Sequence, residues 1–229
     1  MLTPRFNCPK SELKSNLQKL KYPKELLLTM ARKWSNLNLP GALQYVTGNV
    51  LNRIPVFKQE RCCLEFLKPL RDLLNTWPSK LISFVIMPDH FHLIVNPRDG
   101  NIQGFCGALK SLSAKALVDL IGDKRFVREK PDKDGSIHQF WQESFKAIPL
   151  WSVWMIWQKI NYIHNNPVRA KLGKSAREYQ WSSFRAFYLE SREPLPIDHD
   201  WWWPEDLEKL KEAMKAIGWK GHFKKDVKK

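Results

Sequence analysis

Residues 81–95 read LISFVIMPDHFHLIV: two apolar runs rich in β-branched and aromatic residues, hinged at Pro88-Asp89. This composition predicts two strands, 80–87 and 91–95, joined as a tight antiparallel hairpin with the histidines entering its second arm. Successive side chains of a strand point to opposite faces, so His90 and His92 share one face and Phe91 takes the other. Two imidazoles side by side form a ready pair of metal ligands. The plainer alternative is two half-exposed polar positions on a strand.

Working outward, Leu43, Tyr45 and Thr47 alternate as an earlier strand, with Gly48-Asn49 supplying turn chemistry. Over 58–77 the apolar residues Cys62, Phe66, Leu67, Leu70 and Leu74 recur at helical spacing, and Pro78 ends the run. Beyond the hairpin, Asn96-Pro97 and Asp99-Gly100 punctuate. A helix over 102–121 follows, with Phe105, Leu109, Leu112, Ala116 and Leu120 on one side and Lys110 and Lys115 flanking them. The charged segment 122–135 reads as a mobile loop, and a fourth strand lies within 139–150. The order strand, helix, strand, strand, helix, strand is that of an α+β, ferredoxin-like split βαβ fold: an antiparallel sheet with two helices on one face. The other face stays open for a ligand or for further helices.

After Pro149 a helix over 152–165 carries Val153, Ile156, Trp157, Ile160 and Ile163, with Tyr162 one step off that ridge. Pro167 is expected to break it and to start a second short helix capped by Asn166 and ended by Gly173. The whole divides into a helical N-terminal extension (1–39), a central domain (40–190) and a C-terminal segment (191–229). In the extension, Leu13, Leu17 and Leu20 mark one helix and 24–34 a second. The C-terminal segment is a linker through Pro194, Pro196 and Asp198, then Trp201-Trp202-Trp203-Pro204. A helix striped by Leu207, Leu210, Met214 and Ile217 is expected to fold back on the core, with 224–229 as a flexible basic end.

Composition narrows the function. Among 229 residues, 43% are hydrophobic and 27% charged, the balance of a globular chain. The net charge of +15 favours a polyanionic partner, nucleic acid before an anionic membrane surface. The 11 Trp add stacking surfaces, although most belong in a core. No apolar run is long enough to span a bilayer and the first ten residues lack a signal-peptide core, which points to the cytoplasm. Cys8, Cys62, Cys63 and Cys106 have no CxxC spacing and read as free thiols, not a zinc site.

Five pieces in order then carry a resemblance: YVT at 45–47 with the later Arg53 and Phe57, VIMPDHFHLIV, FWQESFKAI, YIHNNPVRAKLG and YQWSSF at 179–184. Over about 43–187 the chain resembles the REP-associated tyrosine transposases, a branch of the single-tyrosine HUH transposases. The resemblance implies metal-dependent cleavage and rejoining of single-stranded or hairpin-forming, palindromic DNA. His90 and His92 fall on the HUH metal ligands, Tyr162 on the nucleophile and Asn166 on the third ligand of a divalent ion such as Mg or Mn. A phosphodiester repels nucleophiles, and such an ion would offset its charge and hold it for attack. Lys110, Lys115, Lys146, Arg169, Lys171 and Trp141 are the candidate DNA contacts. For Arg169 and Lys171 the alternative is a solvated basic turn, and for Trp141 a place in the core. Asn166 could equally be an N-cap before Pro167.

The sequence departs from the commoner family pattern at Asp89, Glu143 and His164, and it lacks an Arg directly after Thr47. His164 could add a ligand or a proton carrier, but it faces away from Tyr162 on a helix and reads as structural. The rival functions are a non-catalytic single-stranded DNA or hairpin-binding protein, and a nuclease in which water attacks. A monomer and a homodimer are both compatible with these segments.

Overall fold

The structure is a computed structural model describing residues 36–129 and 136–216. The helices expected over 11–34, the basic end 224–229, Cys8 and Ile217 lie outside them. Strand β1 (Leu43–Asn49) leads through two short 3-10 turns to α1 (Glu60–Thr76), β2 (Ser79–Met87) and β3 (His90–Pro97). Then come α2 (Ile102–Ile121), β4 (Val127–Glu129), β5 (Ser136–His138), β6 (Lys146–Leu150), α3 (Val153–Arg169), α4 (Phe184–Leu189) and α5 (Asp206–Ala216). Strands β2, β3, β1 and β6 form one antiparallel sheet in that order, with Met87 opposite His90 across the Pro88-Asp89 connection. This is the ferredoxin-like α+β arrangement expected from the sequence.

The two sheet faces bury different partners. Val46, Phe84, Ile86, Phe91, Leu93 and Val95 pack against α1 and α2, forming the larger apolar core. Tyr45, Val85, Met87 and Ile94 point the other way, toward Ile156, Ile160 and Ile163 of α3. A bulge between Leu81 and Ser83 lets Ile82 and Ser83 both turn toward the α3 side. The face left open by the four-strand pattern is therefore partly roofed by α3.

Several expectations are corrected. Gly48 and Asn49 are not a turn but the last residues of β1, paired with Phe91 and His90. A Cβ on Gly48 would stand 2.5 Å from the Phe91 ring, so glycine here makes room for the aromatic beneath it. The apolar side of α2 is Ile102, Phe105, Cys106, Leu109, Ser113, Leu117 and Val118, and Leu112 is exposed. In α1 it is Leu73, not Leu74, that is fully buried. The fourth long strand begins only at Lys146. Earlier in that segment Trp141 makes a lone bridge to Val50. The 122–135 segment is not all loop, because Val127–Glu129 pairs with Ser136–His138 as a two-stranded ribbon.

The most consequential correction concerns Pro167. Helix α3, capped by the Ser152 hydroxyl on the Met155 N–H, runs through Pro167 to Arg169, and no second helix starts there. In the last turn Pro167 forfeits only the bond its missing N–H would give the Ile163 carbonyl. Lys171, not Gly173, ends the helix, with a left-handed φ of 58°. The Lys171 N–H reaches the Val168 carbonyl and the Leu172 N–H reaches the Pro167 carbonyl, the paired bonds of a Schellman stop. Asn166 is thus a helical residue one turn after Tyr162, not an N-cap.

The C-terminal segment does fold back, at the end of the hairpin far from the histidines. Asp198 pairs with the Leu81 backbone, Lys80 bonds Asp200 and the Trp202 carbonyl, and Asn96 bonds Asp206. Leu210 of α5 packs with Leu39 and Ala42.

Candidate active site at the hairpin and the third helix

The site grows from the register of the sheet. His92 pairs with Val85 on one side and with Thr47 on the other, and Thr47 pairs with Lys146. Residues directly opposite one another share a face, so His92, Thr47 and Lys146 form a row under α3. His90 lies two residues earlier on the same face, its ring centroid 4.9 Å from that of His92.

Each imidazole is held by its Nδ1. In His92 this nitrogen lies 2.8 Å from the Thr47 hydroxyl and 2.9 Å from the Tyr45 hydroxyl. In His90 it lies 2.5 Å from the Asp89 carboxylate, which also takes the Arg53 guanidinium at 2.9 Å. Arg53 sits in the left-handed region at φ 57° and donates to Asn49, which donates to Gln142. A polar chain of five residues therefore ends on His90.

The remaining nitrogens are free. The Nε2 of His92 is buried without a hydrogen-bond partner among the described residues, and that of His90 has no such bond there. Burial pushes the His92 pKa down to about 3, with the charges of His90, Lys159 and Arg53 adding to the effect. Burial also lowers His90, and Asp89 opposes that shift. Both rings are neutral at pH 7 and keep a lone pair. With Nδ1–H donating to Thr47, Tyr45 or Asp89, the lone pair falls on Nε2, the usual state of a metal-bound imidazole.

Helix α3 supplies the other half. The Tyr162 ring stands edge-on to His92 at 5.5 Å and to Tyr45 at 6.3 Å, and the residue is 37% exposed. Arg169 and Lys159 lie over that ring, 5.8 Å and 5.7 Å from its centroid. Asn166 follows Tyr162 by one turn on the same face. Its amide nitrogen is buried and unpartnered among the described residues. An amide can turn end for end, so the oxygen could occupy that position instead. Among the described residues no cluster of three or more His, Cys, Asp or Glu could hold a metal ion. The groups here whose chemistry would suit one are the paired imidazoles of His90 and His92, with the Asn166 amide as the further candidate on α3.

His164 does not join this group. Its Nε2 meets Ser83 at 3.2 Å and Ser183 at 2.9 Å, deep on the opposite side of α3. It pins the helix to β2, as its helical phase implied.

The remaining DNA-contact candidates divide. Lys146 and Arg169 belong to the site, and Lys171 lies just beyond it in the helix stop. Lys110 and Lys115 sit on α2, across the sheet from Tyr162, and the Lys110 amine is engaged with the Gln142 and Glu143 carbonyls. Trp141 is corrected outright as a stacking platform. It is 4% exposed, packed on Phe57, Phe66 and Phe91, with its indole N–H on Ser113. Sequence reasoning missed Lys159, Tyr45 and Thr47 as site residues. Lys159 was findable, since it precedes Tyr162 by three on a helix. Tyr45 and Thr47 needed the strand register.

Residues 46–166 match the family of IS200-like transposases, more than half of the chain. The chain belongs to the IS200-like transposase family. The match begins in β1 and ends at Asn166, so it spans both histidines, Tyr162 and the candidate third ligand. Among solved structures, a REP-associated tyrosine transposase bound to a REP hairpin is similar at 18% identity and a TM-score of 0.53. The match covers 71% of this chain and 88% of that one, and it shows the shared fold. A protein from Deinococcus radiodurans R1, described as a candidate transposase, matches at 22% identity and a TM-score of 0.38, over 54% of this chain and 88% of that one. No curated protein matches. Among the described residues of this IS200-like transposase, no helix is long and apolar enough to cross a membrane.

Proposed function

We propose that this chain is a cytoplasmic DNA strand transferase acting on single-stranded or hairpin-forming DNA, with Tyr162 as nucleophile. The observation that carries the reading is the solvent-reachable Tyr162 phenol, edge-on to a buried imidazole with a free Nε2 and flanked by two cations. The REP hairpin bound by the structurally similar transposase supports hairpin DNA as the partner class.

Tyr162 Oη forms a bond to phosphorus as the P–O bond to a deoxyribose breaks. The phenol gives up its proton, the departing oxygen takes one to become the free 3′-hydroxyl of the upstream fragment, and the downstream fragment stays on the protein through its 5′-phosphate as a phosphotyrosine. Because the phosphodiester energy is conserved in that link, another hydroxyl can reverse the step and join new ends without ATP. His90 and His92, with the Asn166 amide, would hold a divalent ion such as Mg or Mn; when bound, it supplies charge compensation and orientation to the phosphate. Asp89, Thr47 and Tyr45 keep the two imidazoles in the tautomer that presents Nε2. Arg169, over the Tyr162 ring, offers a fixed positive charge to the incoming backbone.

The test is incubation with labelled single-stranded hairpin oligonucleotides, with Mn or Mg and with chelator, followed by denaturing gels. A divalent-dependent covalent band that disappears in Tyr162→Phe is expected. Cleavage without attached protein would favour water as nucleophile, and retarded complexes with no covalent band would favour a binding protein.

A further inference from the structure

Lys159 lies on α3 three residues before Tyr162 and shares its face. Its ammonium stands 4.6 Å from the Tyr45 ring centroid and 5.7 Å from that of Tyr162, so it bridges the buried tyrosine that holds His92 and the exposed one beside it. The side chain is half-buried, yet among the described residues it has neither an ion pair nor a hydrogen bond to its amine. Lys146 rises from β6 on the same sheet face, in the row of Thr47 and His92, and its charge reaches Lys159. Burial is the main cause lowering the Lys159 pKa, and Lys146 lowers it further. Arg169 completes a set of three cations, none of them in an ion pair among the described residues.

Two like charges facing each other without a counterion repel, and partial burial removes water that would soften the repulsion. Cation–π contact with two phenol rings recovers part of that cost, but it leaves the ammonium's three N–H donors without an acceptor. An anion entering beside Tyr162 would relieve the repulsion and accept from the ammonium. On the reading of Tyr162 as nucleophile, that anion is the phosphodiester under attack.

We propose that Lys159 is a phosphate-seating residue, its ammonium contacting a non-bridging oxygen of the single-stranded DNA phosphodiester presented to Tyr162. The seat lies on the helix, not on the histidine strand, and it operates with or without a divalent ion. Lys159 thereby fixes which phosphate lies within reach of the phenol.

The decisive experiment measures binding of a fluorescent single-stranded hairpin oligonucleotide to Tyr162→Phe protein in chelator, as a function of salt. No covalent step occurs there, so the readout is independent of whether Tyr162 is the nucleophile. Lys159→Gln should weaken binding several-fold and reduce the salt slope by about 0.7, the loss of one single-strand phosphate contact. Lys159→Arg should restore the slope. An unchanged slope in a Lys159→Gln protein of unaltered melting temperature would reduce Lys159 to a packing strut and overturn the proposal. If Lys159→Gln does not fold, amine acetylation of the unaltered chain decides. The oligonucleotide should protect Lys159 more than Lys115, and equal labelling with and without DNA would overturn the seat. A slope that responds to Lys159→Gln in a chain that forms no covalent adduct would keep the seat and remove the nucleophile.

Discussion

The two faces of the central sheet are built from alternate residues of the same strands and do opposite things. Under α1 and α2, Phe91, Phe66 and Trp141 interlock, and even the Trp141 N–H is satisfied by Ser113. Under α3, among the described residues, His92 and Asn166 keep buried polar atoms without partners, and three cations stand without counterions. Buried polar groups are normally paired, and leaving one unpaired costs roughly 1–3 kcal/mol. On the α3 side these gaps gather around Tyr162, where the proposed binding chemistry lies. Because Phe91 and His92 are neighbours, one residue of strand separates the packed core from the proposed site.

The contrast can be broken most forcefully at Phe91. Phe91→Ala should cost about 3–5 kcal/mol in denaturant unfolding. His92→Ala should cost far less while abolishing divalent binding. Comparable losses from the two would dissolve the distinction between the faces.

Acid offers the next test. His92 and His164 are both held down to about 3, against about 6.5 in an unfolded chain. Below pH 6.5 the unfolded state therefore binds more protons. Stability present above that pH is lost as pH falls toward 3, at roughly 1.4 kcal/mol per pH unit for each buried imidazole. Denaturant melts between pH 7 and 4.5 check the slope, and His164→Gln should remove about half of this part of it.

A smaller effect is expected one shell out from the imidazoles. Thr47→Val combined with Tyr45→Phe should weaken Mn affinity about 10–100-fold in calorimetry, with the fold retained, because it frees the His92 ring rather than removing it. The smallest is at Lys115, across the sheet: Lys115→Gln should leave the salt slope of DNA binding unchanged, whereas Arg169→Gln should lower it.

Much of this was legible in the sequence, and the gaps have physical causes. Strand alternation was enough to put His90 and His92 on one face and Phe91 on the other. The element order was enough for the ferredoxin-like sheet. Pro167 misled, because a residue before proline is biased away from helix. Here the proline falls in the last turn, where one missing N–H matters little, and the Schellman stop at Lys171 takes over the carbonyls. Gly48-Asn49 reads as a turn to any local rule, and only the Phe91 ring across the strand explains the glycine. The Thr47 and Tyr45 clasp on His92 depends on register between strands about 45 residues apart, which no local pattern encodes.

The most direct measurement is the intact mass of the protein after incubation with a hairpin oligonucleotide and Mn, followed by peptide mapping. The account predicts a mass increase equal to the 5′-phosphorylated cleavage fragment, carried by the α3 peptide on Tyr162 and lost with chelator. An adduct mapped to any other residue, or DNA cleaved with the protein mass unchanged, would contradict it.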